Sequence, residues 1–208
     1  LEEPPGNIVF ILIADRSDRL PITIRSRCQF LDFPLPPREL VIPWLTKQLP
    51  PDADAELLLA AAGGAPLLAM DYWEENTLQE RMRVNGELTD LLAGKADPLG
   101  IAARWKTLGC AILLPWLIGY VTDLIRLRFT YLSAASGDNG AFGVRKNTET
   151  LYSDAMGEVA RKIDLLHGYH LFDRCLEARR MWEDAVSLNE LLLLEGLAID
   201  FSGDFSRA

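Results

Sequence analysis

Ile22-Thr23-Ile24-Arg25-Ser26-Arg27-Cys28 follows closely on an unbroken apolar run, Ile8-Val9-Phe10-Ile11-Leu12-Ile13. An apolar run without polar alternation suits a strand covered on both faces, as in a parallel α/β sheet. An arginine just past such a strand stands at the rim of the sheet. Its planar guanidinium, with five donors, can there reach a phosphate held by a neighbouring subunit. Beyond it, Gln29-Phe30-Leu31-Asp32-Phe33 alternates toward a second strand. Residues 1–33 therefore read as strand, short helix (Leu20 to Arg25) and strand. Pro34, Pro36 and Pro37 then deny the backbone both helix and sheet bonding, as a domain boundary does.

After the prolines the period becomes helical. Leu40, Val41, Trp44, Leu45 and Leu49 recur at three-to-four spacing, and Pro50-Pro51 stops that helix. Asp52 or Asp54 is placed to cap the next one. Gly63-Gly64 is a C-cap signal and Pro66 suits the first turn of a third helix. A longer helix runs through Leu78, Met82, Leu88, Leu91 and Leu92 to Gly94. Asp97-Pro98 marks the next junction. Past it we expect a helix around Ile101 to Trp105, an apolar helix from Cys110 to about Leu132, and a glycine-rich loop at 136–143. Helices from about Thr148 to Leu166, Leu171 to Ala185 and Asn189 to Ile199 follow. The expected fold class is mainly α: a short α/β remnant (1–33), a small helical unit (34–96) and a larger helical unit (97–208).

Composition excludes several classes. The chain of 208 residues is 49% hydrophobic and 25% charged, as in an ordinary globular protein. A net charge of -9 argues against a general nucleic-acid-binding surface, although Arg16, Arg19, Arg25 and Arg27 crowd the N-terminal part. Cys28, Cys110 and Cys175 are far apart, odd in number and lack C-x-x-C spacing, which fits a reducing cytoplasm and neither a disulfide framework nor a zinc site. Cys110 to Ile125 is largely apolar, but it holds Pro115, Gly119 and Asp123 between flanking arginines and is short for a span; we read it as a buried helix.

Leu1-Glu2-Glu3-Pro4-Pro5, the apolar run and Ser26-Arg27-Cys28 in this order resemble the clamp-loader branch of the AAA+ ATPases. The resemblance covers the whole chain, with its specific motifs in the first 28 residues. It implies an AAA+ core remnant at 1–33, a lid domain at 34–96 and a helical collar, or oligomerisation, domain at 97–208. It also implies that Arg27 is an arginine finger acting in trans on a neighbour's ATP, with Ser26 and Cys28 holding the turn. An inert, buried thiol is expected at Cys28. The chain opens on Leu inside what the family places in its nucleotide-binding domain, so we read it as a C-terminal piece. It has no Gly-Lys-Ser/Thr phosphate loop, and neither a bound cofactor nor a metal is expected.

Two departures point to a non-hydrolysing member. Where the family's motor subunit carries two threonines after the strand, this chain has Ala14-Asp15. Where the motor has Gly-Ser-Leu-Arg in the lid, it has Gly64-Ala65-Pro66-Leu67. Neither place offers a hydroxyl or cation to a phosphate. The implied partners are motor and delta-type clamp-loader subunits, met through the collar, together with the neighbour's ATP. DNA is met only indirectly and no membrane is involved. The alternatives are a gamma/tau-type motor subunit, or an unrelated helical adaptor whose Ser-Arg-Cys is accidental.

The remaining features have plainer readings. His167 and His170, with Asp164 and Asp173 nearby, are spaced for a shared helix face. Gly168 is expected to interrupt the helix, and no third soft ligand is near, so a polar helix junction is expected there. Trp44, Trp73, Trp105, Trp116 and Trp182 are scattered, which suits core positions more than a base-stacking platform.

Overall fold

A computed structural model describes residues 6, 8–14, 17, 20–135, 154–185 and 187–203. The chain divides into two compact units, residues 1–35 and 36–208. Among the described residues all regular structure is helical, so the fold is mainly α.

Among the described residues of the first unit the only helix is the single turn α1 (Ile22–Arg25). The two expected strands are not formed among the described residues. Ile8 to Ile13 carry no ladder bonds and stand 49–93% exposed, and Phe30, Leu31 and Phe33 are exposed as well. A strand needs neighbours for its N–H and C=O groups and covers for its faces. No described segment supplies either, so apolar patterning alone does not make a strand here.

The second unit opens with α2 (Arg38–Gln48), α3 (Ala55–Ala61) and α4 (Pro66–Glu74), which pack on one another. Local chemistry sets their ends. Asp54 accepts from the Glu56 and Leu57 amides, both at 3.0 Å, and caps α3. Gly63 at φ +64° lets α3 finish with Gly64 N–H donating to Leu59 C=O and Gly63 N–H to Ala60 C=O. These are the two bonds of a Schellman end, which needs a left-handed residue that glycine adopts without strain. Pro66 then starts α4, where its missing N–H is one of the unpaired donors anyway. Arg38 pairs with Glu56 at 2.9 Å, joining α2 to α3.

The rest comprises α5 (Leu78–Leu92), α6 (Pro98–Leu108), α7 (Cys110–Ala135), α8 (Asp154–Lys162), α9 (Leu165–Asp184) and α10 (Glu190–Phe201). Their caps were legible: Asp97 accepts from Gly100 N–H at 2.8 Å, Asn189 from Leu192 N–H at 3.4 Å, and Gly94 closes α5 at φ +67°. The largest packings are α7 on α9, α6 on α10 and α7 on α8. Leu113, Leu114, Leu117, Tyr120, Val121 and Leu124 form the buried stripe of α7. Among the described residues, Cys110–Ser133 is long and apolar enough to cross a membrane by length and composition. Its buried stripe, covered by helices of the same chain, makes it the central core helix.

Three expectations change. The helix expected from Thr148 to Leu166 is seen from Asp154 and ends at Lys162, and residues 136–153, with the glycine-rich loop, lie outside the described set. The break falls at Ile163-Asp164, so α9 already begins at Leu165. Gly168 does not interrupt it: the residue is buried inside α9 and a Cβ there would meet Ile125 Cγ1 at 3.0 Å. Glycine at this position serves the close approach of α7 and α9, not a helix end.

Candidate functional site

The loop carrying the expected finger leaves α1 directly. Pro21 sets the entry, and Ser26 N–H donates to Ile22 C=O at 2.9 Å and Arg27 N–H to Ile24 C=O at 3.1 Å. The Ser26 hydroxyl adds a 3.3 Å bond to Thr23 C=O, so Ser26 acts on the turn. Arg25 and Arg27 are both exposed, two residues apart on this tight turn. Cys28 is half-buried, not enclosed as expected, because the apolar segments flanking it are themselves exposed.

The other places implicated by the sequence stand apart. Ala14 is exposed and Leu67 is 68% exposed in the first turn of α4. Neither brings a polar group to a phosphate. Leu1–Pro5, Asp15, Arg16 and Arg19 lie outside the described residues. His167 and His170 face each other on α9 with ring centroids 6.5 Å apart. Burial and the neighbouring imidazole hold His167 below the usual histidine value. Among the described residues no group of three or more His, Cys, Asp or Glu side chains is arranged to hold a metal.

Sequence reasoning missed the polar junctions of α5. The Glu87 carboxylate, 12% exposed, accepts from Arg83 at 2.7 Å and from Arg104 Nε at 2.8 Å. Its second oxygen accepts from the wholly buried Trp105 Nε1 at 2.8 Å. Two residues on, Thr89 Oγ1 and Tyr120 Oη lie 2.9 Å apart in the core, and burial holds the phenol well above its ordinary pKa. At the other end of α5, Arg81 Nη1 donates to Tyr72 Oη at 2.9 Å, and Trp116 Nε1 donates to the same oxygen at 3.1 Å. Buried Trp and Tyr demand partners for their polar tips. Trp105, Trp116 and Tyr120 in an otherwise apolar region were the signal, but their partners sit far away in sequence.

With this geometry in view, comparison with known proteins is informative. Residues 1–37 match the family model described as DNA polymerase III, delta subunit. Across 97% of its length the chain is 28% identical to the DNA polymerase III subunit delta' of Pseudomonas aeruginosa, covering 59% of that protein. It is 28% identical to the Haemophilus influenzae subunit delta' over 61% of this chain and 38% of that one. The Escherichia coli subunit delta' is 33% identical over 39% of this chain and 25% of its own length. The chain thus spans about three-fifths or less of the relatives it matches.

Proposed function

We propose, from the premise that this chain is a relative of the bacterial DNA polymerase III delta' subunits, that it serves as a non-hydrolysing clamp-loader subunit. In this reading residues 1–33 belong to an AAA+ core, 34–96 to a lid and 97–208 to a collar that meets motor and delta-type subunits. Arg27 reaches the ATP of the adjacent motor subunit during loading of the sliding clamp in the cytoplasm. The carrying observation is the similarity, across 97% of this chain and 59% of the relative, to the Pseudomonas aeruginosa subunit delta'. The exposure of Arg27 on its short turn supports the role in trans. Leu67 and Ala14, where the motor's polar groups would stand, support the loss of hydrolysis. Exposed Leu99, Ile112, Leu192 and Ile199 on α6, α7 and α10 support a partnered collar.

Arg27→Ala in the full-length protein, reconstituted with its partner subunits, tests this. A finger stabilises charge that develops on the transferred phosphoryl group and acts mainly in the transition state. Assembly should survive, and total ATP turnover should fall in part, because the change affects one site of the ring. Arg27→Lys should rescue poorly, since an ammonium lacks the planar fork. Unchanged turnover, or an equal loss from Arg25→Ala, would remove the finger.

A further inference from the structure

Three helices of the larger unit end around one cleft of about 430 Å³. Helix α5 closes there: Gly94 N–H donates to Leu91 C=O at 2.9 Å and Lys95 N–H to Asp90 C=O at 2.8 Å. Helix α8 brings its last residue, Lys162. Helix α10 brings its C-cap, Ser202, whose hydroxyl donates to Ile199 C=O at 2.8 Å. Helix α5 packs on both α8 and α10, and the cleft is what their ends leave open.

The lining is chemically divided. Leu92, Val159 and Ile163 give an apolar floor from α5 and the end of α8. Asp90, Lys95, Glu158 and Lys162 stand exposed around it, two of each sign. The three helix ends add partial negative charge to the two carboxylates, which favours a cation beside them. An occupant suited to this cleft therefore carries an apolar ring for the floor, with an acidic and a basic group on either side of it.

The chain supplies such a segment at the cleft's own wall. Ser202 and Gly203 line the cleft, and the sequence continues Asp204-Phe205-Ser206-Arg207-Ala208, residues outside the described set. An extended chain covers at most about 3.6 Å per residue, which puts Phe205 within about 7 Å of Gly203 and Arg207 within about 14 Å. A cavity of about 150 Å³ already holds a benzene-sized ring, so the cleft has room for a phenyl group and more. The tether at Gly203 makes the contact intramolecular, and an untethered competitor faces an effective concentration on the order of millimolar.

We propose that the cleft at the ends of α5, α8 and α10 is the docking site of the chain's own segment 204–208. Phe205 covers Leu92, Val159 and Ile163, Arg207 meets Asp90 and Glu158, and Asp204 meets the rim lysines. Seating this segment ties the end of α10 to α5 and α8.

The test uses the full chain with 4-fluorophenylalanine placed at position 205 alone and read by fluorine NMR. In the folded parent the resonance should be displaced from its position in the urea-unfolded chain. Its shift between H2O and D2O should also be well below that of the unfolded chain, as for a ring withdrawn from solvent. Ala155→Gln puts a polar side chain into the cleft from an exposed helical position that glutamine suits. It should return both readings toward the unfolded values while helical circular dichroism is unchanged. Arg207→Glu should do so in part, and adding Glu158→Lys to it should restore the parent readings. An unfolded-like resonance in the folded parent would overturn the proposal. A displaced resonance that neither variant moves would overturn it too, because the ring would then sit elsewhere. So would a displacement lost on dilution, which would place the ring on a second copy of the chain.

Discussion

Replacing Glu87 by leucine isolates the largest polar junction of the helical unit. The side chain is 12% exposed and accepts from Arg83, Arg104 and Trp105. The two ion pairs reach partly exposed guanidinium groups, and such pairs contribute only about 0.2–1 kcal/mol each. The Trp105 indole is different: it is wholly buried, and its N–H would lose the Glu87 carboxylate that accepts from it. A buried donor without a partner costs about 1–3 kcal/mol. The indole effect therefore dominates, and the total should be roughly 2–4 kcal/mol. For a domain of this size that lowers the melting temperature by roughly 5–15 °C. Urea unfolding followed by circular dichroism measures it, with an unchanged m-value marking a true change in stability.

The double substitution Glu87→Leu/Trp105→Phe identifies the cause. Phenylalanine has no donor to leave stranded, so the pair should be less destabilised than the sum of the singles, with a coupling of about 1–2 kcal/mol. Two results would refute the reasoning: a Glu87→Leu protein within about 0.5 kcal/mol of the parent, the range of an ordinary surface change, or strict additivity in the cycle.

Thiol chemistry and packing supply further checks. Burial pushes the Cys110 thiol up to about 11 and Cys175 up to about 12, so both should resist a disulfide reagent in the native protein, and half-buried Cys28 should react first. Native titration consuming all thiols at one rate would contradict that packing. Gly168→Ala should destabilise by about 1–3 kcal/mol by pushing α9 off Ile125, and Ile125→Ala, which removes Cγ1, should cost less in the Gly168→Ala protein than in the parent. Equal denaturation midpoints for the parent and Gly168→Ala would show that Ile125 yields freely.

The sequence by itself determined the mainly helical fold and most helix ends, because capping is local chemistry. Asp54, Asp97 and Asn189 each bond amides two or three residues ahead, Pro66 and Pro98 fix the first turn, and Gly63 and Gly94 supply left-handed ends. It also marked out Ser26-Arg27-Cys28 and the similarity to delta' subunits. Only the tertiary structure decided the rest. Ile8 to Ile13 has the composition of a buried strand and stays uncovered, since strand formation depends on partners and not on the segment alone. Gly168 reads as a helix breaker and is instead the contact point of two helices. Glu87 meets Trp105 across 18 residues and Tyr72 meets Trp116 across 44. No local period encodes such pairs: a polar tip on a buried aromatic announces that a partner must exist, and packing chooses which residue it is.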